Sequence, residues 1–490
     1  MGHRDHYIGG KWLTGSGVSL ASRSPIGDDV VWQGTAATDG EVDLAVEAAR
    51  RALGGWSDVS FAARCEIARH FAALVKRHEE VFSRLISREM GKPLWESRTE
   101  AAAVIGKVDL SIRAWNERRA EQEEVIGDGR AVVRYRPHGV LAVLGPFNLP
   151  AHLPNGHIVP ALLAGNTIVF KPSEATPAVG EMMVDLWHEA GLPAGVLNLV
   201  QGAAGTARYL SRHDGLDGLL FTGSYRVGLE LSKFFGEHPE RILALEMGGN
   251  NPLIVDRCAD HDAAAYLTVQ SAYVTSGQRC SCARRLIVPR GADGDRFVER
   301  LVAWIGRVRI GPFDQEPEPF YGPVVSRAAA GRLLDAQSEM VAAGGNPLVE
   351  MRRSGGHEAL LTPGLIDMTS ATVRRDDEWF GPLLQLIRVD DWEQALFEAN
   401  RTSFGLAAGL LSDDPERYRE FRRRIRAGVI NWNRQTTGAS GKLPFGGLGS
   451  SGNHRPSGFH AVDYCADPIA SLEYDRVALP TPLPIGFTAS

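Results

Sequence analysis

Cys280 and Glu246 are two residues of this chain whose chemistries complement each other. A cysteine thiolate attacks an electrophilic carbonyl carbon and can leave an acyl group on sulfur. A carboxylate can then deprotonate the water that removes that group. Glu246 follows the apolar run 242–245 and precedes Gly248-Gly249, which places it at a strand end. There it is partly desolvated, its pKa is raised, and the glycines let a ligand approach the backbone. Cys280 lies in Gly277-Gln278-Arg279-Cys280-Ser281-Cys282. A reactive thiol needs electropositive surroundings, which Arg279 and nearby backbone N–H groups would supply. Each residue alone also has a plainer reading, as a buried structural cysteine and an ordinary strand-end glutamate. Asn148, just before Leu149-Pro150, reads on its own as a turn asparagine.

Strand ends and helix N-termini must hold such groups. Apolar runs at 140–144, 167–170, 196–200, 218–221 and 242–245 alternate with helix-like segments such as 179–190, closed by Gly191 and Pro193. Strands apolar on both faces, alternating with helices, indicate an α/β doubly wound parallel sheet. Such sheets bind ligands at the carboxyl ends of their strands. The polar segments Gly145-Pro146-Phe147-Asn148, Lys171-Pro172-Ser173-Glu174 and Thr222-Gly223-Ser224 fall there. A second α/β stretch has apolar runs at 253–255, 286–288, 383–387, 406–411 and 429–430, with helices at 263–274 and 293–308.

The first third is helical. Thr38 and Glu41 form a capping-box pair. A helix over 61–90 carries the stripe Cys65, Ala68, Phe71, Leu74, Val75, Val81 and Leu85, and Gly91 and Pro93 stop it. The segment 130–136, with three arginines, reads as an exposed strand that pairs with a partner chain.

The 490 residues carry 53 Lys+Arg and 59 Asp+Glu, a formal charge of −6, with 44% hydrophobic and 23% charged residues. These values exclude disorder as the main state and give no reason to expect nucleic acid. The length implies two or three domains. Five scattered cysteines (Cys65, Cys258, Cys280, Cys282, Cys465) make no disulfide framework and indicate a reducing compartment. No run of about 18 apolar residues suggests a membrane span. Residues 1–10 lack the apolar core of a secretory signal, so a cytoplasmic protein is expected, with no metal.

Seven short motifs follow one order: Pro146-Phe147-Asn148-Leu149-Pro150, Lys171-Pro172-Ser173-Glu174, Phe221-Thr222-Gly223-Ser224, Leu245-Glu246-Met247-Gly248-Gly249-Asn250, Gly277-Gln278-Arg279-Cys280, Glu378-Trp379-Phe380-Gly381-Pro382 and Pro444-Phe445-Gly446-Gly447. This set, with Cys280 34 positions after Glu246, resembles the aldehyde dehydrogenase superfamily over essentially the whole chain. The resemblance implies Cys280 as nucleophile, Glu246 as general base and Asn148 as oxyanion donor. It implies a nicotinamide cofactor, with Gly223, Ser224, Tyr225, Arg226, Val227 and Gly228 placing a helix N-terminus by the pyrophosphate. Lys171 and Glu174 would bond the adenosine ribose, which favours NAD over NADP. Glu378 would bond the nicotinamide ribose, with Phe380 beside it.

Around His152, after Glu246, around Cys280 and at Gly452-Asn453-His454-Arg455-Pro456-Ser457, the chain resembles the branch that oxidises N-succinyl-L-glutamate 5-semialdehyde to N-succinyl-L-glutamate in arginine breakdown. Arg279, Ser281, Arg455 and His152 are the candidates for holding that dicarboxylate. Dehydrogenases of succinic or glutamic semialdehyde, and a structural or ligand-binding member without turnover, are the alternative readings. The resemblance implies a Rossmann-type NAD domain (1–120 and 140–245), an α/β catalytic domain (246–435) and an oligomerisation arm (121–139 and 461–477), assembled as a homodimer or homotetramer.

Overall fold

The computed structural model describes residues 4–27, 29–480 and 482–487. The first three residues of the segment read for a leader therefore lie outside the described residues. Helix Asp39–Ser57 opens on the expected capping box: Glu41 N–H donates to Thr38 Oγ1 at 3.4 Å, and Thr38 N–H donates to Glu41 Oε2 at 2.8 Å.

The expected helix over 61–90 is two helices, Phe61–Arg77 and Glu79–Met90. His78 closes the first and opens the second, with φ −99° and ψ 12°. The break shifts the buried face, so Phe82 and Ile86 are buried while Val81 is exposed. Gly91 ends the second helix in the left-handed conformation, φ 88°, its N–H donating to Ser87 O at 2.7 Å. The next helix, Leu94–Arg118, buries charged side chains, among them Glu96, Glu100 and Lys107.

Two seven-stranded sheets form the frame. The first runs, edge to edge, through Ile242–Met247, Gly218–Gly223, Val140–Leu144, Thr167–Lys171 and Leu197–Leu199, all parallel, and ends on the antiparallel hairpin His6–Ile8 and Lys11–Leu13. Apolar side chains on both faces of its central strands pack against helices, as expected for a doubly wound sheet. The second sheet orders Asn346–Val349, Gly364–Asp367, Leu383–Val389, Ala283–Pro289, Asn251–Val255, Ala407–Leu411 and Val429–Trp432, parallel except at its first strand. Only Gly248-Gly249-Asn250 separates the last strand of the first sheet from Asn251–Val255. The chain therefore crosses between sheets directly after Glu246.

A three-stranded antiparallel sheet has the order Ala466–Glu473, Gly129–Pro137, Gln122–Ile126. This corrects the expectation for 130–136. That strand is central, and both of its edges are already paired within the chain. Two of the three arginines that marked it, Arg130 and Arg134, pair with Glu473. No helix among the described residues is long and apolar enough to cross a membrane.

Candidate active site

The carboxyl ends of the first sheet's strands open into a cavity of about 670 Å³ that reaches across to the second sheet. Its wall includes Asn148, Lys171, Glu174, Gly223, Ser224, Arg226, Val227, Glu246, Cys280, Glu378 and Phe380, so six separated stretches of sequence converge on one space.

Glu246, near the end of Ile242–Met247, is 2% exposed, and its Oε1 has no hydrogen-bond partner. Burial raises its pKa to about 8, with Arg455 pulling the other way. The desolvated strand-end carboxylate expected from the sequence is present, and near neutral pH it is mostly protonated.

Cys280 faces the cavity but lies away from bulk water, and its thiol pKa is pushed well up, first by burial and then by the negative charges of Glu246 and Glu378. The electropositive setting expected from Arg279 is absent. Arg279 Nη2 donates to Glu96 Oε1 at 2.8 Å and its Nε donates to Thr275 Oγ1 at 2.7 Å, so its charge is spent on a buried carboxylate of helix Leu94–Arg118.

The turn before Cys280 is strained. Thr275, Ser276 and Gly277 have φ of 57°, 54° and 68°, the left-handed region that costs non-glycine residues energy. Specific contacts hold it there. Thr275 Oγ1 donates to Glu96 and Ser276 Oγ to Gly322 O. At position 277 a Cβ would stand 2.0 Å from Gly381 O, so only glycine fits. Asn251 Nδ2 donates to Cys280 O at 2.7 Å and to Cys282 O at 2.8 Å.

Asn148 is buried, and its Nδ2 donates to Gln278 O at 2.8 Å, which fixes the amide plane beside Cys280. An amide NH₂ has two hydrogens, so one remains for a ligand oxygen. From below, Lys92 Nζ donates to Asn148 O at 2.9 Å and pairs with buried Glu100.

The same cavity fits a dinucleotide. Helix Tyr225–Phe235 starts at Ser224, and its first turn faces the space. Ala207, Val227, Leu231 and Phe234 make an apolar slot. Lys171, buried, donates to Pro172 O at 2.7 Å and Gly202 O at 2.6 Å and lies 4.0 Å from Glu174. Glu378 Oε1 accepts from Gly249 N–H at 3.1 Å, and a Cβ on residue 248 would stand 1.7 Å from Glu378 Oε2. Two expected residues sit differently. Tyr225 does not line the cavity; its ring packs on Phe404 at 5.8 Å. Gly228 packs against Met247, where a Cβ would stand 2.2 Å from the sulfur.

None of the four substrate candidates lines this cavity. Arg279 is bound to Glu96. Ser281 is buried behind Cys280, with its backbone N–H favouring the charged sulfur. Arg455 donates to Gly447 O at 2.5 Å next to Glu246. His152 opens helix His152–Leu163 with its Nδ1 buried and unpartnered, and burial pushes its pKa down to about 4. Sequence reading missed Glu96, Asn251, Thr275 and Arg284, which set the loop rather than face the ligand. No motif marks Glu96 or Thr275, and Asn251 and Arg284 lie in segments that carry the resemblance without a role of their own.

The family model described as "Aldehyde dehydrogenase family" matches residues 12–468. The chain belongs to this family. An N-succinylglutamate 5-semialdehyde dehydrogenase of Chromobacterium violaceum is 55% identical over 480 residues, covering 98% of this chain and 99% of that one. One of the same name from Ectopseudomonas mendocina is 53% identical over 483 residues, covering 99% of each. Among solved structures, a 1-pyrroline-5-carboxylate dehydrogenase from Thermus with bound NAD superposes with a TM-score of 0.91 at 31% identity, covering 96% of this chain and 93% of that one. The aldehyde dehydrogenase fold expected from the motifs is the fold observed.

Proposed function

We propose that this aldehyde dehydrogenase oxidises N-succinyl-L-glutamate 5-semialdehyde to N-succinyl-L-glutamate with NAD, in the succinyltransferase route of arginine breakdown. The observation that carries the chemistry is the convergence of Cys280, Glu246 and Asn148 on one cavity that also fits a dinucleotide. Identity of 55% over nearly the full length of a relative with that name supports the substrate.

In this reading the Cys280 thiol loses its proton to the free Oε1 of Glu246, and the sulfur attacks the aldehyde carbon. The new oxyanion takes hydrogen bonds from the second Nδ2–H of Asn148 and from the Cys280 backbone N–H, each such donor contributing roughly 3 kcal/mol. Bound NAD supplies the hydride acceptor. Cys280 is then left as a thioester. Glu246 first releases the thiol's proton to solvent; its carboxylate then takes a proton from water, the hydroxyl adds to the thioester carbon, and the C–S bond breaks, the leaving sulfur taking that proton from Glu246 to return the thiol and a carboxylic acid. Lys171 and Glu174 hold the adenosine ribose, Glu378 the nicotinamide ribose, and the half-exposed Glu174 carboxylate disfavours a 2′-phosphate.

We divide the chain into an NAD domain (1–120 and 140–245), a catalytic domain (246–435) and an arm (121–139 and 461–477). The arm sheet, with its free outer edges, pairs subunits into a homodimer or homotetramer. Five free cysteines fit a cytoplasmic location.

Turnover with N-succinylglutamate 5-semialdehyde, followed as NADH absorbance beside succinic and glutamic semialdehydes, tests the substrate. The highest kcat/KM is expected for the succinylated aldehyde. An equal or higher value for either smaller aldehyde would overturn the assignment.

A further inference from the structure

Arg284 has no role assigned from the sequence, yet it is completely buried and touches both halves of the site. Its Nη2 donates to Arg279 O at 3.0 Å, the carbonyl directly before Cys280. Its Nη1 donates to Gly381 O at 3.3 Å, in the segment that carries Glu378 and Phe380. The guanidinium carbon lies 5.5 Å from the centre of the Phe380 ring. Gly381 O is also the atom that leaves no room for a side chain at Gly277. The nucleophile turn and the Glu378 segment therefore meet at one carbonyl, and one planar cation spans the junction.

We infer that Arg284 is a positioning residue that couples occupancy of the cofactor site to the placement of Cys280. This rests on the roles proposed above for Cys280 and Glu378. A ligand hydroxyl on Glu378 acts on a segment whose other end is held by Nη1, and the same rigid fork fixes the carbonyl preceding the nucleophile. A fork of this geometry transmits displacement where a flexible ammonium would not. The charge is placed for the same purpose, since Arg284 opposes the burial that raises Glu378 to about 7. Other charges that bear on Cys280 are Glu246, Glu378 and Cys282, and none of them bonds to both segments.

The test measures iodoacetamide alkylation of Cys280 in the full-length protein, with and without saturating NAD, by mass spectrometry of the peptide. In the wild type, NAD is expected to change the alkylation rate by about fivefold or more, within the usual range of site coupling. In Arg284→Gln that ratio should fall to about one, while NAD still binds by calorimetry. Arg284→Lys, which keeps the charge but not the fork, should also lose most of the ratio. If Arg284→Gln does not fold, the Lys variant carries the test alone. A ratio of one in the wild type, or a wild-type ratio in the variants, would overturn the inference. Failure of the underlying reading looks different: wild-type protein fully alkylated at Cys280 would then still turn over.

Discussion

Asn251 grips the carbonyls on both sides of Ser281: one side-chain amide donates to Cys280 O at 2.7 Å and to Cys282 O at 2.8 Å, while its oxygen accepts from Ala407 N–H at 2.9 Å. Asn251 begins the first strand of the second sheet, so the nucleophile loop is anchored to that sheet's core and not to the loop's own ends. Asn251→Asp keeps the shape, removes both donors and places a carboxylate against two carbonyls. A kcat loss of tenfold or more is expected, at about 1–3 kcal/mol for a buried unsatisfied group, with NAD affinity unchanged. Steady-state kinetics beside calorimetric NAD binding checks the split.

Cys280→Ala should abolish dehydrogenase turnover and leave NAD binding intact. Retained turnover would remove Cys280 from the mechanism. Cys282→Ala should have little effect on the chemistry, because that thiol is buried and points to Val274 O.

Glu246→Gln should permit a burst of NADH and then stall, because the thioester lacks its base. In the wild type, deacylation should rise with pH through about 8, where Glu246 ionises. The same group makes a stability prediction. A carboxyl whose folded pKa is raised stabilises fully below its unfolded value near 4.5, and that contribution fades as pH rises through about 8. Glutamine cannot ionise, so the melting temperature of Glu246→Gln relative to wild type should climb across that window. A constant difference would mean that Glu246 is ionised throughout.

Arg455→Ala should move the deacylation pH profile upward, since Arg455 is the cation that opposes the raised pKa of Glu246. Stopped-flow measurement of the second phase reads this directly. If the profile stays in place and KM for the succinylated aldehyde rises more than for a small neutral aldehyde, Arg455 acts on the substrate instead.

Glu96→Ala strands Arg279 without its carboxylate, and breaking one partner of a buried pair costs roughly 3–5 kcal/mol. Replacing both, as Glu96→Met with Arg279→Met, should recover much of that stability but not the activity, because Thr275 has lost the acceptor that holds its left-handed backbone. Chemical denaturation of the three proteins separates the two effects.

The groups that line the cavity, Glu246, Cys280 and Asn148 among them, were legible in the sequence because their motifs restrict them. Glu246 needs an apolar strand before it and glycines after it, and both can be read directly. The parallel sheets were legible for a similar reason, since strands buried on both faces are apolar throughout. The supporting groups were not. Glu96 and Arg279 are 183 residues apart, and nothing in either segment announces the other. Arg279 looked like a free cation for the thiol or the substrate because a sequence shows the charge and not its partner. The same limit applies at 130–136, where arginines suggested an open strand and a strand more than 300 residues later, Ala466–Glu473, closes one edge and supplies their carboxylate partner. His78 broke a helix whose apolar spacing reads as continuous, and the shift that turns Val81 to solvent has no mark in that spacing.

Three left-handed residues in a row precede Cys280, and contacts from residues 96, 322, 381 and 251 hold that turn and the cysteine after it in place. These anchors are scattered along most of the chain, and closing such distant contacts is the late, slow part of folding. A growing or half-folded chain therefore carries an ordinary thiol at position 280. The arrangement of Cys280 beside Asn148 and Glu246 exists only once the last of these segments has docked, and the burial that holds the thiol protonated arrives with it.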